Sequence, residues 1–310
     1  MPEKDWDRLG DLAEGLKVGA LSVSQEGFGL LGVTAEASGG TLLERMKGRR
    51  AQLHRAGDGA LIQTWDGPGW IQSVDCLGHT VAAIFATLKP SGTGSDYHLL
   101  MSTDGGREWQ TRGPVSAPSL AQVLVVSERE VWVLGSWYLG RTTDAGTTWT
   151  ELELEGERNP YTERLRRVEG GVALLGRGLS LAQQGGAAWT RQDMGAARVV
   201  DVEGPYVLAV VEGQGRLGER RGAEVQWREP RMQGREPLRL ASTEGLLRML
   251  TRGADPAKGA ELMIHTSEDG GRSWEHQALP LFVPPVDIAG REWALGTIPG
   301  PRITLFGRVT

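Results

Sequence analysis

Short apolar runs recur along the chain at nearly regular intervals, each closed off by turn formers. Gln122–Val126, Glu130–Leu134 and Leu139–Thr143 are three such runs, and Trp149 opens a fourth. Segments of this length, rich in Val, Leu and Trp and bounded by Gly, Pro and charge, predict strands, because those side chains fit a pleated, half-buried surface. Equivalent second strands are expected at Gly27–Val33, Thr80–Thr87, Gly171–Gly176, Tyr206–Val211 and Gly245–Leu250. Near the C-terminus, Glu292-Trp293-Ala-Leu-Gly296-Thr matches Glu130-Val-Trp132-Val-Leu-Gly135-Ser, with Trp and Gly in register. Helical spacing occurs once, at Trp6, Leu9, Leu12 and Leu16. Gly10 and Gly15 would each cost that helix about 1 kcal/mol relative to Ala, so a strand is the preferred expectation there.

A repeated motif punctuates the strands. Ser102-Thr-Asp104-Gly-Gly106-Arg-Glu-Trp109, Thr142-Thr-Asp144-Ala-Gly146-Thr-Thr-Trp149 and Ser267-Glu-Asp269-Gly-Gly271-Arg-Ser-Trp274 share the pattern Ser/Thr-x-Asp-x-Gly-x-x-Trp. A fourth copy keeps Gly186 and Trp189 but carries Gln184 at the Asp position. An Asp in a turn accepts hydrogen bonds from the N–H groups that follow it. The Gly supplies a positive φ, and the Trp lays apolar surface over the returning strand. Such a turn staples a hairpin and predicts a structural role for its Asp, not a catalytic one.

Trp65, Trp109, Trp149, Trp189, Trp227 and Trp274 stand 44, 40, 40, 38 and 47 residues apart. A fixed period of this size is the signature of a repeat architecture. If the chain closes on itself, the step from Trp274 to Trp6 fits the same period and the count is seven. The turns at Trp65 and Trp227 are eroded, so those two assignments rest on spacing. The one long repeat is expected to hold its excess in Thr41–Arg55, as a longer third strand or turn. After Trp274 only three runs remain, Val286–Ala289, Glu292–Thr297 and Arg302–Val309. Lys4–Leu9 is therefore expected to supply the fourth strand by pairing with Arg302–Val309.

The motif is the Asp box of BNR repeats. Val131-Trp-Val-Leu-Gly135 followed by Leu139-Gly-Arg-Thr-Thr-Asp144-Ala-Gly-Thr-Thr-Trp149 resembles the repeat of the photosystem II assembly-factor propellers, and the boxes are more distantly similar to those of sialidases. The resemblance implies an all-β fold, a single seven-bladed propeller of four-stranded antiparallel blades with a three-plus-one closure. The blades are expected at 16–67, 70–112, 119–153, 162–193, 196–230 and 236–278, and at 284–310 joined by 1–12. It also implies a non-enzymatic scaffold, since function sits on loops grafted onto such a fold. The alternative is a carbohydrate-binding or glycoside-hydrolysing propeller. The Arg-Ile-Pro signature of a sialidase-like site is missing; Arg302-Ile-Thr departs from it at the third position, and no Tyr stands in a nucleophile context.

Composition narrows the functional classes. The chain of 310 residues has 45 Gly and 11 Trp, with a formal charge of −5. Many glycines fit many tight turns, and the acidic balance implies no general attraction to nucleic acid. No apolar run suits a membrane span or leader, so a cytoplasmic protein is the expectation. Cys76 is the one cysteine, and the five histidines show no metal-ligand spacing. Neither a metal nor a cofactor is expected, and no residue is assigned as catalytic.

In the fold that the resemblance implies, a ligand meets the face formed by the loops joining strands 2 and 3 and those joining consecutive blades. That face should collect Lys89–Asp96, Arg112–Ser119, Gly135–Tyr138, Glu155–Arg164, Arg228–Pro237, Gly253–Lys258 and Leu281–Pro285. Within it, Trp137 and Tyr138, with Arg158, Asn159, Tyr161 and Arg164, have the aromatic and arginine content of a protein-interface hot spot. Phe282 is a further candidate. The expected partner is a protein.

Overall fold

The computed structural model describes residues 7–11, 16–23, 29–35, 41–55, 60–65, 67–91, 94–112, 119–153, 163–184, 186, 188–221, 224–228, 235–243, 245–253, 261–278, 283–289, 293–298 and 304–307. Strands dominate, and they form four-stranded antiparallel sheets. Two compact units are present, 1–156 with 284–287 and 293–310, and 157–283 with 288–292.

In the first unit, one sheet comprises β2 (Leu16–Val23), β3 (Gly29–Ala35), β4 (Arg50–Arg55) and β5 (Leu61–Trp65). The next comprises β6 (Gly69–Leu77), β7 (Thr80–Leu88), β8 (Ser95–Ser102) and β9 (Gln110–Arg112). The third comprises β10 (Leu120–Val125), β11 (Val131–Gly135), β12 (Tyr138–Thr142) and β13 (Thr150–Glu151). The sheets stack through their apolar faces. Leu30, Leu53, Ile71, Val81 and Phe85 fill one interface, and Ile84, Leu99, Val123, Val133 and Tyr138 fill the next. At about 1.5–3 kcal/mol for each large side chain taken out of water, these interfaces are the main favourable term.

The second unit repeats the plan. Its sheets are β14 (Arg164–Val168), β15 (Gly171–Gly176), β16 (Gly178–Gln183) and β17 (Trp189–Gln192); β18 (Arg198–Glu203), β19 (Tyr206–Val211), β20 (Gln214–Arg221) and β21 (Glu224–Arg228); and β22 (Arg235–Thr243), β23 (Leu246–Gly253), β24 (Leu262–Ser267) and β25 (Glu275–Ala278). A last sheet, whose β1, β28 and β27 belong to the first unit, has the order β1 (Asp7–Asp11), β28 (Thr304–Gly307), β27 (Trp293–Ile298) and β26 (Val283–Ala289). In it the N-terminal strand pairs antiparallel with the C-terminal one, Asp7 opposite Gly307 and Asp11 opposite Thr304. The N-terminal segment is thus a strand, not a helix. It is centred a few residues beyond the expected Lys4–Leu9, and Trp6 lies outside the described residues.

One further expectation is sharpened and another corrected. The excess in Thr41–Arg55 lies in the turn ahead of the third strand and not in the strand itself, and it takes the form of a six-residue helix, α1 (Leu42–Lys47), before β4. Thr41 and Glu44 close its first turn reciprocally: Thr41 N–H donates to Glu44 Oε2 at 2.7 Å, and Glu44 N–H to Thr41 Oγ1 at 3.3 Å. These bonds hold the Glu44 carboxyl below its ordinary range. Trp65 and Trp227 do not open their outer strands as Trp189 opens β17. Trp65 ends β5, and Trp227 is the fourth of five residues in β21. Without an Asp turn to fix its place, each indole follows packing. Trp65 meets Trp109 edge-on at 5.4 Å, and Trp227 lies over Gly218.

The first strand of each sheet has one edge with no ladder partner, and buried N–H groups there need acceptors. For β10 and β22, side chains of the preceding sheet provide them. Val123 N–H donates to Ser73 Oγ at 3.1 Å and Val125 N–H to Asp75 Oδ2 at 2.7 Å, while Asp75 Oδ1 accepts from Ser22 Oγ–H at 3.0 Å. In the second unit Leu240 N–H donates to Asp201 Oδ2 at 2.8 Å, and Arg166 Nε stands 3.2 Å from Asp201 Oδ1. Arg166 also reaches Glu203 Oε2 at 3.1 Å, although burial still pushes the Glu203 carboxyl up. Ser73 and Asp201 each directly follow a β-bulge, a feature that re-aims the side chains around it.

Asp201→Ala would leave Arg166 and Leu240 N–H without this buried carboxylate. It should destabilise the chain by about 3–5 kcal/mol, as read from denaturant melts. Deleting residues 1–11 should bare the β28 edge, lower the melting temperature and promote aggregation. A truncated chain that melts unchanged and stays monomeric would contradict the clasp.

Candidate functional site

Within the first unit the opening strands β2, β6 and β10 run side by side in one direction, because Ser22 meets Asp75 and residues 73 and 75 meet 123 and 125. The connections from second to third strand therefore emerge on one face: α1 with Arg49, the Lys89–Gly94 segment, and the Ser136–Trp137 turn. The connections carrying the Ser/Thr-x-Asp-x-Gly pattern lie at the opposite ends of the third strands.

On that face Trp137 is the most exposed large apolar side chain among the described residues, at 67%. Its backbone is left-handed, φ 62°, which is uncommon for a residue with a β-carbon. The turn is held from below. Ser119 Oγ–H donates to Ser136 Oγ at 2.6 Å and accepts Ser136 N–H at 3.2 Å. Gly135 is needed there, since a β-carbon would stand 1.8 Å from the Ser119 carbonyl oxygen. The tethered turn sets the Trp137 backbone, and its side chain is exposed to solvent.

Tyr138 behaves oppositely, and its assignment to the binding surface is corrected. It starts β12 with only 7% of its surface exposed, and its ring lies across Gly140, where a β-carbon would be 2.5 Å from the phenol oxygen. With Trp137 exposed at the turn and Tyr138 buried in the sheet, the two do not present a joint surface. Burial pushes the Tyr138 phenol pKa up, with Glu151 adding to the shift. The Gly two residues on was the legible signal of a ring packed along the strand.

Sequence reasoning missed a cavity on the same face. About 260 Å³ in volume, it is lined by Val18, Gly19, Thr34, Arg49, Trp70, Ile71 and Gln72. The Arg49 guanidinium lies 5.7 Å from the Trp70 ring centroid, a cation–π distance. Trp70 Nε1–H donates to Gln72 Oε1 at 2.9 Å, which fixes the indole as a wall. Trp70 stands outside the 40-residue count, so the repeat gave no reason to single it out. Of the other candidates, Arg164 opens β14 in the second unit and is half-buried. Arg158, Asn159, Tyr161 and Phe282 lie outside the described residues.

The three intact turns share one geometry. Ser102, Thr142 and Ser267 each donate a hydroxyl hydrogen to Asp Oδ1, at 2.7, 2.8 and 2.8 Å. The same oxygens accept the N–H of Gly106, Gly146 and Gly271 at 2.8 Å in every case. Asp104, Asp144 and Asp269 then take N–H groups further along, as from Glu108 at 3.0 Å, Thr148 at 2.8 Å and Ser273 at 2.9 Å. Trp109 and Trp274 close their turns by donating Nε1–H to the carbonyls of Gly106 and Gly271. These bonds lower all three carboxyls from the usual range, Asp269 strongly and Asp144 to about 2. Gly146 packs on Arg112 and Leu99, and Gly271 on Leu217, so each turn is pressed against the preceding sheet. In the fourth copy Gly186 N–H donates instead to the Gln183 carbonyl, and Trp189 begins β17.

No family model and no curated protein matches the chain. Solved structures do. One, described as "YCF48 bound to D1 peptide", is similar with a TM-score of 0.64 and 17% identity, over 100% of this chain and 97% of that one. Another is the β-propeller domain of the Trilobed protease from Pyrococcus furiosus, described as having an open velcro topology. It has a TM-score of 0.58 and 10% identity, over 96% of this chain and 94% of that one. At such identities the likeness concerns the fold, which is that of a β-propeller.

Thr142→Val should leave Gly146 N–H and Asp144 without the buried hydroxyl, costing about 1–3 kcal/mol in denaturant melts. The Asp144 carboxyl is depressed in the folded chain relative to an unfolded Asp. Its contribution is therefore full above about pH 4 and lost as pH falls toward 2. The stability gap between the wild type and Asp144→Ala should narrow over that window.

Proposed function

We propose that this chain is a seven-bladed Asp-box propeller that acts as a non-enzymatic protein-binding scaffold, and that it holds its partner on the face bearing Trp137. The observation that carries this reading is the exposed indole of Trp137, 67% accessible at the tip of a tethered turn. A tryptophan on a tethered turn offers much apolar area at the cost of ordering only two side-chain torsions. The cavity walled by Trp70 and Arg49 opens on the same face and suits one large side chain of a partner segment. The likeness to a propeller described as bound to a peptide supports the same class of partner. The turns at the other end are engaged in their own hydrogen bonds and brace the sheets.

The test is capture of partners from the native host by immobilised full-length chain, wild type beside Trp137→Ala and Trp70→Ala. Trp137→Ala should lose the stoichiometric partner by at least tenfold while shifting the melting temperature by no more than a few degrees. Tyr138→Ala should instead cost about 3–5 kcal/mol of stability, as truncation of a buried aromatic does. An unchanged partner set in both tryptophan variants would overturn the assignment of this face.

A further inference from the structure

One row of side chains crosses the whole of the β22–β25 sheet, and none of the residues assigned to the partner face belongs to it. Each strand contributes one: Arg235 from β22, Thr251 from β23, His265 from β24 and His276 from β25. Arg235 Nε–H donates to Thr251 Oγ1 at 2.8 Å, and Thr251 Oγ1 lies 2.8 Å from His265 Nε2. A hydrogen bond of 2.7 Å joins His265 Nδ1 to His276 Nδ1, the two residues being directly opposed in the β24–β25 register. Thr251 and His265 are buried, whereas His276 is exposed at the rim.

The direction of the row follows from its first member. A guanidinium only donates, so the Thr251 oxygen accepts from Arg235. Among the described residues, the other group that the buried Thr251 hydroxyl meets is His265 Nε2, which therefore accepts the hydroxyl hydrogen. With Nε2 accepting, a neutral His265 carries its proton on Nδ1 and donates it to His276 Nδ1. His276 in turn carries its proton on Nε2, at the exposed end. Each group donates to the next, and neither nitrogen of the buried ring lacks a partner.

We propose that this row is an acid-released latch, which ties the outer strand β25 to the buried face of its sheet while both histidines are neutral and releases it when the pair takes up a proton. A proton gained by His276 goes to Nδ1 and faces the His265 Nδ1–H. One gained by His265 goes to Nε2 and faces the Thr251 hydroxyl hydrogen. Either way two donors meet where a donor met an acceptor. Reversing the row gives no relief, because Arg235 offers no acceptor and the Thr251 hydrogen would be buried without one. Burial, His276 and Arg235 hold the His265 pKa at about 4, in keeping with a ring kept neutral. The carboxylates around the row are already paired. Glu261 stands 3.2 Å from Arg235, and Glu236 is paired with Arg252. The β18–β21 sheet packs on this face through Leu208, Leu217, Leu247 and Met249; on it Glu219 is paired with Arg228 and Arg221, and Arg228 also donates to the Gly270 carbonyl. An unfolded His265, at its ordinary 6.5, takes the proton before the folded one as pH falls. The latch's contribution is therefore full above about pH 6.5 and lost as pH falls toward 4.

Nitrogen-15 NMR of the full-length chain, labelled at histidine, reads the tautomers directly. At pH 7.5 His265 should be protonated on Nδ1 alone and His276 on Nε2 alone. Thr251→Val should leave His265 in a mixture of tautomers, whereas Thr251→Ser should keep the wild-type assignment. Amide exchange in the β24–β25 ladder, corrected for its intrinsic pH dependence, should speed up by at least about tenfold between pH 7.5 and pH 5. His276→Ala, a change at the exposed rim, should exchange fast at both pH values, with less than about a threefold response. His79→Ala and His98→Ala, in the other unit, should keep the full response. His265 protonated on Nε2 at pH 7.5 would overturn the proposal, as would an equal response in the wild type and His276→Ala. Partner capture by Trp137→Ala is a separate readout, so the two readings fail independently.

Discussion

The architecture depends on how each sheet satisfies the free edge of its first strand. A four-stranded antiparallel sheet that packs face to face with its neighbours leaves that edge buried and without a ladder partner. Apolar stacking alone would leave those N–H groups desolvated at about 1–3 kcal/mol each. Ser73 and Asp75 meet the requirement in the first unit, and Asp201 in the second, each reaching the backbone of the following sheet. These carboxylates and hydroxyls also fix register. Residues 73 and 75 lock onto 123 and 125, which keeps the strands parallel and lines up the connections at each end.

From that alignment comes a division of labour in the first unit. One end of the sheets carries the stapled Asp turns, whose Ser or Thr hydroxyl links the carboxylate to the glycine N–H and whose glycine leaves room for the preceding sheet. The Asp carboxylates there are engaged by the N–H and hydroxyl groups of their own turns. The other end carries more varied connections: a capped helix, the turn bounded by Lys89 and Gly94, and a two-residue turn with an exposed indole. Rigidity at one end permits variation at the other, and binding residues concentrate on loops set by a rigid frame.

Buried charge follows the same economy. Glu130 and Arg141 form an ion pair at 2.9 Å inside the β10–β13 sheet, with Trp132 Nε1–H on the same carboxylate oxygen and the guanidinium 5.4 Å from the Trp132 ring centroid. Such a pair contributes little net stability but is costly to break. It sits at the end of the β11–β12 hairpin away from the Trp137 turn, where Arg141 leads into the Asp144 turn, and ties the two strands together there.

Local order was legible along the sequence. The second strands at Thr80, Gly171 and Tyr206 begin where the apolar runs begin, and the three intact turns have the Asp acceptors and positive-φ glycines that their residue types dictate. Turn chemistry and strand alternation act over a few residues, so a local reading captures them. The hydroxyl of the motif's first residue was undervalued, because its second partner, the glycine N–H, appears only once the turn is folded. Tertiary structure alone decided the rest. Tyr138 turned into the core because Gly140 left a space for its ring, and Trp70 met Arg49 across two sheets. Ser73, Asp75 and Asp201 found acceptorless N–H groups 39 to 50 residues away. His265 and His276 are eleven residues apart, a spacing without meaning until the β24–β25 register sets them face to face. Contacts across sheets depend on register and stacking, which no window of sequence contains.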